Sequence, residues 1–113
     1  MTRALILCLL LSGCTTVPTG TDECGYAWQL ELEAIPRDRY EIVETDDVFL
    51  RCGFEEKAQA CSIRYKGDDG KPRGIVYIPR DIPQDAPYCQ TKEALTRHEE
   101  LHMRGWSHRV LDW

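Results

Sequence analysis

TKEALTRHEELHMRGWSH, Thr91 to His108, is the stretch from which the rest of the chain is read. From Lys92 to Arg104 it contains neither glycine nor proline. Thr91 can cap the N-terminus of a helix, and Glu93 sits favourably in the first turn. Gly105 then ends the helix in the way a C′ glycine does. At about 100° per residue, Ala94, Leu95, Leu101 and His102 fall on the side of His98, with Glu99 at its margin. Glu93, Arg97, Glu100 and Arg104 fall opposite. Glu93–Arg97 and Glu100–Arg104 are i,i+4 pairs in the favourable order, which suits a solvated face. The stretch therefore predicts one substantial helix near the C-terminus, with histidines on its inner side.

The chain has three histidines in its 113 residues, and all of them lie here, at His98, His102 and His108. Histidines at i and i+4 project side by side, and their nitrogens can share one zinc ion at about 2.0–2.1 Å. In an unbroken helix His108 would lie roughly 9 Å further along the axis and on the far side. Gly105 removes that obstacle, because glycine takes the left-handed conformation that turns a chain. The spacing points to one Zn2+ held by three histidines, with Gly105 as the turn that delivers the third.

Read position by position, His98, Glu99, His102, Gly105 and His108 spell HExxHxxGxxH. This resembles the zinc-binding motif of the metzincin metalloproteases. The resemblance implies that the three histidines hold a catalytic zinc and that Glu99 is the general base. It also implies an edge strand ahead of the helix along which substrate lies, a place filled by GIVYI (Gly74 to Ile78). The likeness covers eleven residues. No methionine follows His108, so the methionine turn of that family is missing, and no long helix precedes the motif. Trp106, Val110, Leu111 and Trp113 are candidates for an apolar floor, and Asp112 for a partner to a metal-bound histidine.

The chain ahead of the helix reads as strands and turns. YAWQLELEA (Tyr26 to Ala34) alternates as a half-buried strand, with Tyr26, Trp28, Leu30, Leu32 and Ala34 on one face. RYEIV (Arg39 to Val43), DVFLRC (Asp47 to Cys52), CSIRY (Cys61 to Tyr65) and GIVYI are shorter strand candidates. GFEEKAQA (Gly53 to Ala60) reads as a loop or single helical turn. Pro79 closes the last strand, and a terminal proline suits a sheet edge. The expected fold class is α+β: a small, mostly antiparallel sheet with the zinc helix behind it.

The N-terminus reads as an export signal. Met1-Thr2-Arg3 is followed by the apolar run Ala4 to Leu11, which is too short to span a bilayer. LSGC (Leu11 to Cys14) resembles the lipobox of bacterial lipoproteins, which implies residues 1–13 as signal peptide and a lipid on Cys14. Residues 14–23 then read as a flexible tether and 24–113 as the domain. A mature chain from Cys14 carries 13 Lys and Arg against 19 Asp and Glu, a net charge of −6. No basic run is present, which speaks against nucleic acid. Four cysteines stay with the domain. Two disulfides are expected, with Cys24–Cys89 and Cys52–Cys61 as the preferred pairing among three; a four-cysteine zinc site would want CxxC pairs that the chain lacks.

The expected function is a lipid-anchored, zinc-dependent peptidase of the bacterial envelope, on the outer membrane in a Gram-negative host. Its substrate would be a peptide or protein, peptidoglycan peptides included. The alternative is a non-enzymatic envelope lipoprotein whose zinc site is vestigial, or structural and closed by Asp112 or a cysteine.

Overall fold

The structure is a computed structural model and describes residues 17–109. The expected signal segment, Cys14, Val110, Leu111, Asp112 and Trp113 lie outside these residues. In chain order the elements are β1 (Thr19–Thr21), β2 (Ala27–Leu30), β3 (Tyr40–Thr45), α1 (Val48–Arg51), β4 (Cys61–Lys66), β5 (Pro72–Pro79), α2 (Lys92–Met103) and β6 (Trp106–His108). Two short 3-10 turns, Arg37–Arg39 and Tyr88–Gln90, lead into β3 and α2. The class is α+β, as expected, but the strands form two three-stranded sheets rather than one. The first runs β1-β2-β6 and is antiparallel; the second runs β3-β5-β4. In the second, β5 pairs with β3 in parallel and with β4 antiparallel. The main helix packs on β4 and β5 and also meets β6, so it links the two sheets.

Several local readings change. Asp47–Cys52 was expected as a strand, yet Val48–Arg51 is a helical turn. Asp47 accepts a hydrogen bond from Leu50 N at 2.9 Å, while its own N–H donates to Thr45 Oγ1 at 3.0 Å. These local bonds compete with a strand ladder, and Phe49 and Leu50 are exposed rather than alternating. The strand expected over Tyr26–Ala34 is only Ala27–Leu30, because Glu31 and Leu32 both donate to the Gly105 carbonyl at 2.9 Å. Within the expected tether, Thr19–Thr21 pairs with β2, so ordered structure begins ahead of Cys24. Gly74–Ile78 is not an edge strand. It lies in the centre of its sheet, paired on both sides, and has no free edge for a substrate.

The core gathers Ile35, Tyr40, Val76, Ile78 and Met103 between the helix and the second sheet. Gly74 makes this possible, because a Cβ there would collide with the Met103 thioether. Thr91 caps the helix by accepting from Ala94 N at 3.3 Å. At the other end Arg64 of β4 donates to the carbonyls of His102 (3.1 Å), Met103 (3.3 Å) and Glu33 (2.6 Å). A cation on the last helical carbonyls is favourable both as a hydrogen bond and against the helix dipole.

One expected ion pair is replaced. Arg97 does meet Glu93, at 3.1 Å. Glu100, however, turns from Arg104 towards the second sheet, where it accepts the Tyr40 hydroxyl and lies 3.7 Å from Arg37. Glu100 is thus a fastener between helix and sheet rather than part of a solvated stripe. Burial, and the Glu100 carboxylate beside it, push the Tyr40 phenol up to about 12 from 10.0. The folded chain therefore holds this proton where the unfolded chain has lost it, so stability falls as pH rises across that window. Tyr40→Phe should cost about 1.5–3 kcal/mol at pH 8, the scale of a hydrogen bond to a charged group. It should also flatten the decline between about pH 10 and 12 in urea unfolding. An equal decline in both proteins would contradict the Tyr40–Glu100 bond.

Candidate metal centre

The turn that delivers His108 starts from the helix C-terminus. Gly105 has φ +102°, and a Cβ on it would strike the Leu32 carbonyl oxygen. Only glycine relieves both constraints. The chain then reverses and β6 runs antiparallel to β2 in the register Trp28↔His108, Gln29↔Ser107, Leu30↔Trp106. The third histidine is therefore held by a strand ladder rather than by a loop.

His98 and His102 project from the helix and His108 from β6, and one ligand nitrogen of each lies within 4.8 Å of the others. Tetrahedral zinc would set such nitrogens roughly 3.3 Å apart, so modest ring rotations would close the site. Three observations fit a metal. Burial, together with the neighbouring His102 and His108, pushes His98 down to about 4, partly opposed by Asp22. Burial and His108 also lower His102, against the Trp106 carbonyl. Neutral imidazole is the form that binds metal. The third observation is that His102 Nδ1 lies 3.0 Å from the Trp106 carbonyl oxygen. A carbonyl only accepts, so Nδ1 carries the proton and Nε2 is left free as a ligand, the arrangement commonly found behind metal-binding histidines. This partner comes from the turn itself, in the role suggested for Asp112.

The floor of the site is a residue that the sequence reading placed only as a strand position. Trp28, 3% exposed, has its ring centroid 4.8, 5.0 and 4.7 Å from those of His98, His102 and His108. The cleft in front of the histidines is lined by all three of them and by Tyr26, but not by Trp28. Trp28 thus backs the histidines on the side away from the cleft. Its indole N–H donates to Asp22 Oδ2 at 2.8 Å, and Asp22 Oδ1 accepts from the N–H groups of Cys24 (2.9 Å) and Tyr26 (3.1 Å). Burial opposes ionisation of Asp22, yet these hydrogen bonds together hold its carboxyl below the usual range. The Cys24–Cys89 disulfide fastens this turn to the segment just ahead of the helix. Alternation had set Trp28 on the apolar face of its strand. The missing signal was the β2–β6 register, which stacks that face on the histidines. Met103 lies elsewhere, fully buried in the core.

Glu99 lies in the wall of the same cleft, a cavity of about 750 Å³. It is 6% exposed, one of the two buried polar residues among those described. Burial pushes its carboxyl up to about 7, while the Ser62 hydroxyl of β4 pulls it down. Both protonation states are then accessible near neutral pH, as proton transfer requires. All four domain cysteines are bonded, as Cys24–Cys89 and Cys52–Cys61, which removes cysteine as a fourth metal ligand. Comparison with protein-family models, with curated proteins and with solved structures finds no match for the chain.

Two substitutions test the turn. His108→Ala removes one nitrogen, and Gly105→Ala misplaces it without touching a ligand. Each should weaken metal binding by at least about tenfold in competition with a chromophoric chelator, the scale of losing one well-placed contact. The helical circular dichroism should persist. Unchanged affinity in both variants would remove His108 from the ligand set.

Proposed function

We propose that the chain is a zinc-dependent peptidase, with His98, His102 and His108 as metal ligands and Glu99 as the group that moves the proton. The observation that carries this reading is the buried Glu99 carboxyl in the same cleft as three converging imidazoles, two of which, His98 and His102, burial holds towards the neutral form. When bound, zinc supplies Lewis acidity, which acidifies water and polarises a peptide carbonyl. The chain's own residues do the rest. The Trp106 carbonyl fixes the His102 tautomer and Trp28 backs the three rings, so the ligands are set before a substrate arrives. Glu99 accepts a proton from the attacking water at its carboxylate oxygen and delivers it to the departing amide nitrogen. A cation among the histidines would pull Glu99 towards its ionised, proton-accepting form.

Two disulfides fit an oxidising, extracytoplasmic compartment. No helix among the described residues is long and apolar enough to cross a membrane. We assign attachment to the envelope to a lipid on Cys14, and the substrate to peptides or proteins there, peptidoglycan peptides included. Loss of lipid labelling in Cys14→Ser checks the anchor; labelling that survives the change would contradict it.

Glu99→Gln keeps the shape of the side chain and removes the base. Zinc should stay bound and the fold should hold, while hydrolysis of unfolded protein or peptidoglycan fragments falls by about 10²-fold or more. Glu100 is a poor control, since it ties the helix to Tyr40. Glu93, exposed and paired only within its own face, is the better one, and Glu93→Gln should leave activity nearly intact. Equal activity in Glu99→Gln and Glu93→Gln would sink the mechanism. Zinc-loaded protein inactive on every substrate would favour a non-enzymatic envelope module.

A further inference from the structure

The cleft before the histidines does not end at Leu95. A second depression of about 530 Å³ opens beside it, and the two share Ala58, Gln59 and Leu95 in their walls. Eight of the twelve residues that line this second hollow are aliphatic or proline. Val48 of α1, Ala58, Ile82, Ala86 and Leu95 contribute aliphatic surface, and Pro79, Pro83 and Pro87 stiffen the loop that encloses it. Asp81 and Asp85 stand in its wall, both exposed and neither in an ion pair among the described residues.

The spacing relates this hollow to the chemistry. Leu95 and Glu99 are one turn apart on the same face of the helix, about 6 Å along its axis. Two residues of extended peptide cover about the same distance. A chain laid along the helix with one peptide bond over the histidines therefore brings a side chain to the hollow within two residues of that bond. The aliphatic lining suits an apolar side chain, and the two carboxylates suit a neighbouring Lys or Arg rather than an acidic residue.

We propose that this depression is the specificity subsite of the metal cleft, and that it selects extended peptides with an apolar residue within two positions of the reacting bond, next to a basic one. The inference rests on the peptidase reading and is tested so that the two can fail separately. Ala86→Trp fills the hollow from an exposed loop, and Asp81→Asn with Asp85→Asn removes its charge; none of these residues is in the core cluster.

The experiment uses zinc-loaded protein and a peptide panel that varies one position among Leu, Gly and Glu, with and without an adjacent Lys. Cleavage sites are mapped for the unaltered protein, and peptide affinity is measured by NMR on Glu99→Gln. Peptides with Leu should bind at least about tenfold better than those with Gly, the scale of burying one aliphatic side chain. Ala86→Trp should erase that preference, and the double Asn variant should erase only the advantage of Lys. Cleavage without any apolar preference would overturn the subsite and leave the peptidase intact. Selective binding that Ala86→Trp abolishes, with no cleavage of any peptide, would keep the subsite and overturn the peptidase. Preference unchanged by Ala86→Trp would place the selectivity elsewhere and overturn the proposal.

Discussion

The candidate metal centre hangs on a meeting of two backbones. Gly105 takes a positive φ against the Leu32 carbonyl, and its own carbonyl accepts from both Glu31 and Leu32 at 2.9 Å. A side chain at this position would separate the two segments. Without their contact β6 would lose its place beside β2, His108 would leave its position opposite Trp28, and the Trp106 carbonyl would leave His102. One residue without a Cβ thus fixes a candidate ligand, an orienting hydrogen bond and the alignment of the floor. The glycine does this through conformation alone, which is why it is part of the site while touching no metal.

The second constraint is the position of the helix between two sheets. Its Leu95–Glu99–Met103 face is buried, and His98 and His102 look towards β2 and β6. Glu99 lies at the boundary between these faces. It is buried enough for its proton affinity to rise, yet still open to the cleft. A domain this small has little core to spare for such an arrangement. Cys24–Cys89 and Cys52–Cys61 offset that shortage by closing loops on either wall of the cleft, while Arg64 and the Tyr40–Glu100 bond hold the C-terminal half of the helix.

Much of the site is legible in the sequence because it is local. Helix, cap, i,i+4 histidines and the terminating glycine lie within eighteen residues, and each follows from short-range geometry. The α+β class follows from alternation, and two disulfides follow from four cysteines in a small domain; which cysteines pair was a preference among three that the structure bears out. The errors concern what local patterns do not encode. Asp47 made a helical turn from residues whose composition suits a strand. Pro79 ends a central strand rather than an edge, because the parallel partner β3 lies far away in sequence. Glu100 faced solvent on a helical wheel, but a wheel cannot know that Tyr40 stands opposite. Trp28 could be assigned to an apolar face, whereas its role needed its pairing with His108, 80 positions later in the chain.

What the three histidines hold decides whether this is a zinc site. X-ray absorption at the zinc edge, with metal analysis of the purified, unlipidated protein, reads this directly. It should find one zinc per chain bound by three imidazole nitrogens and one further light atom, with no sulfur in the shell. A sulfur-containing shell, a shell with fewer imidazoles, or a folded protein that takes up no zinc would contradict the site as assigned.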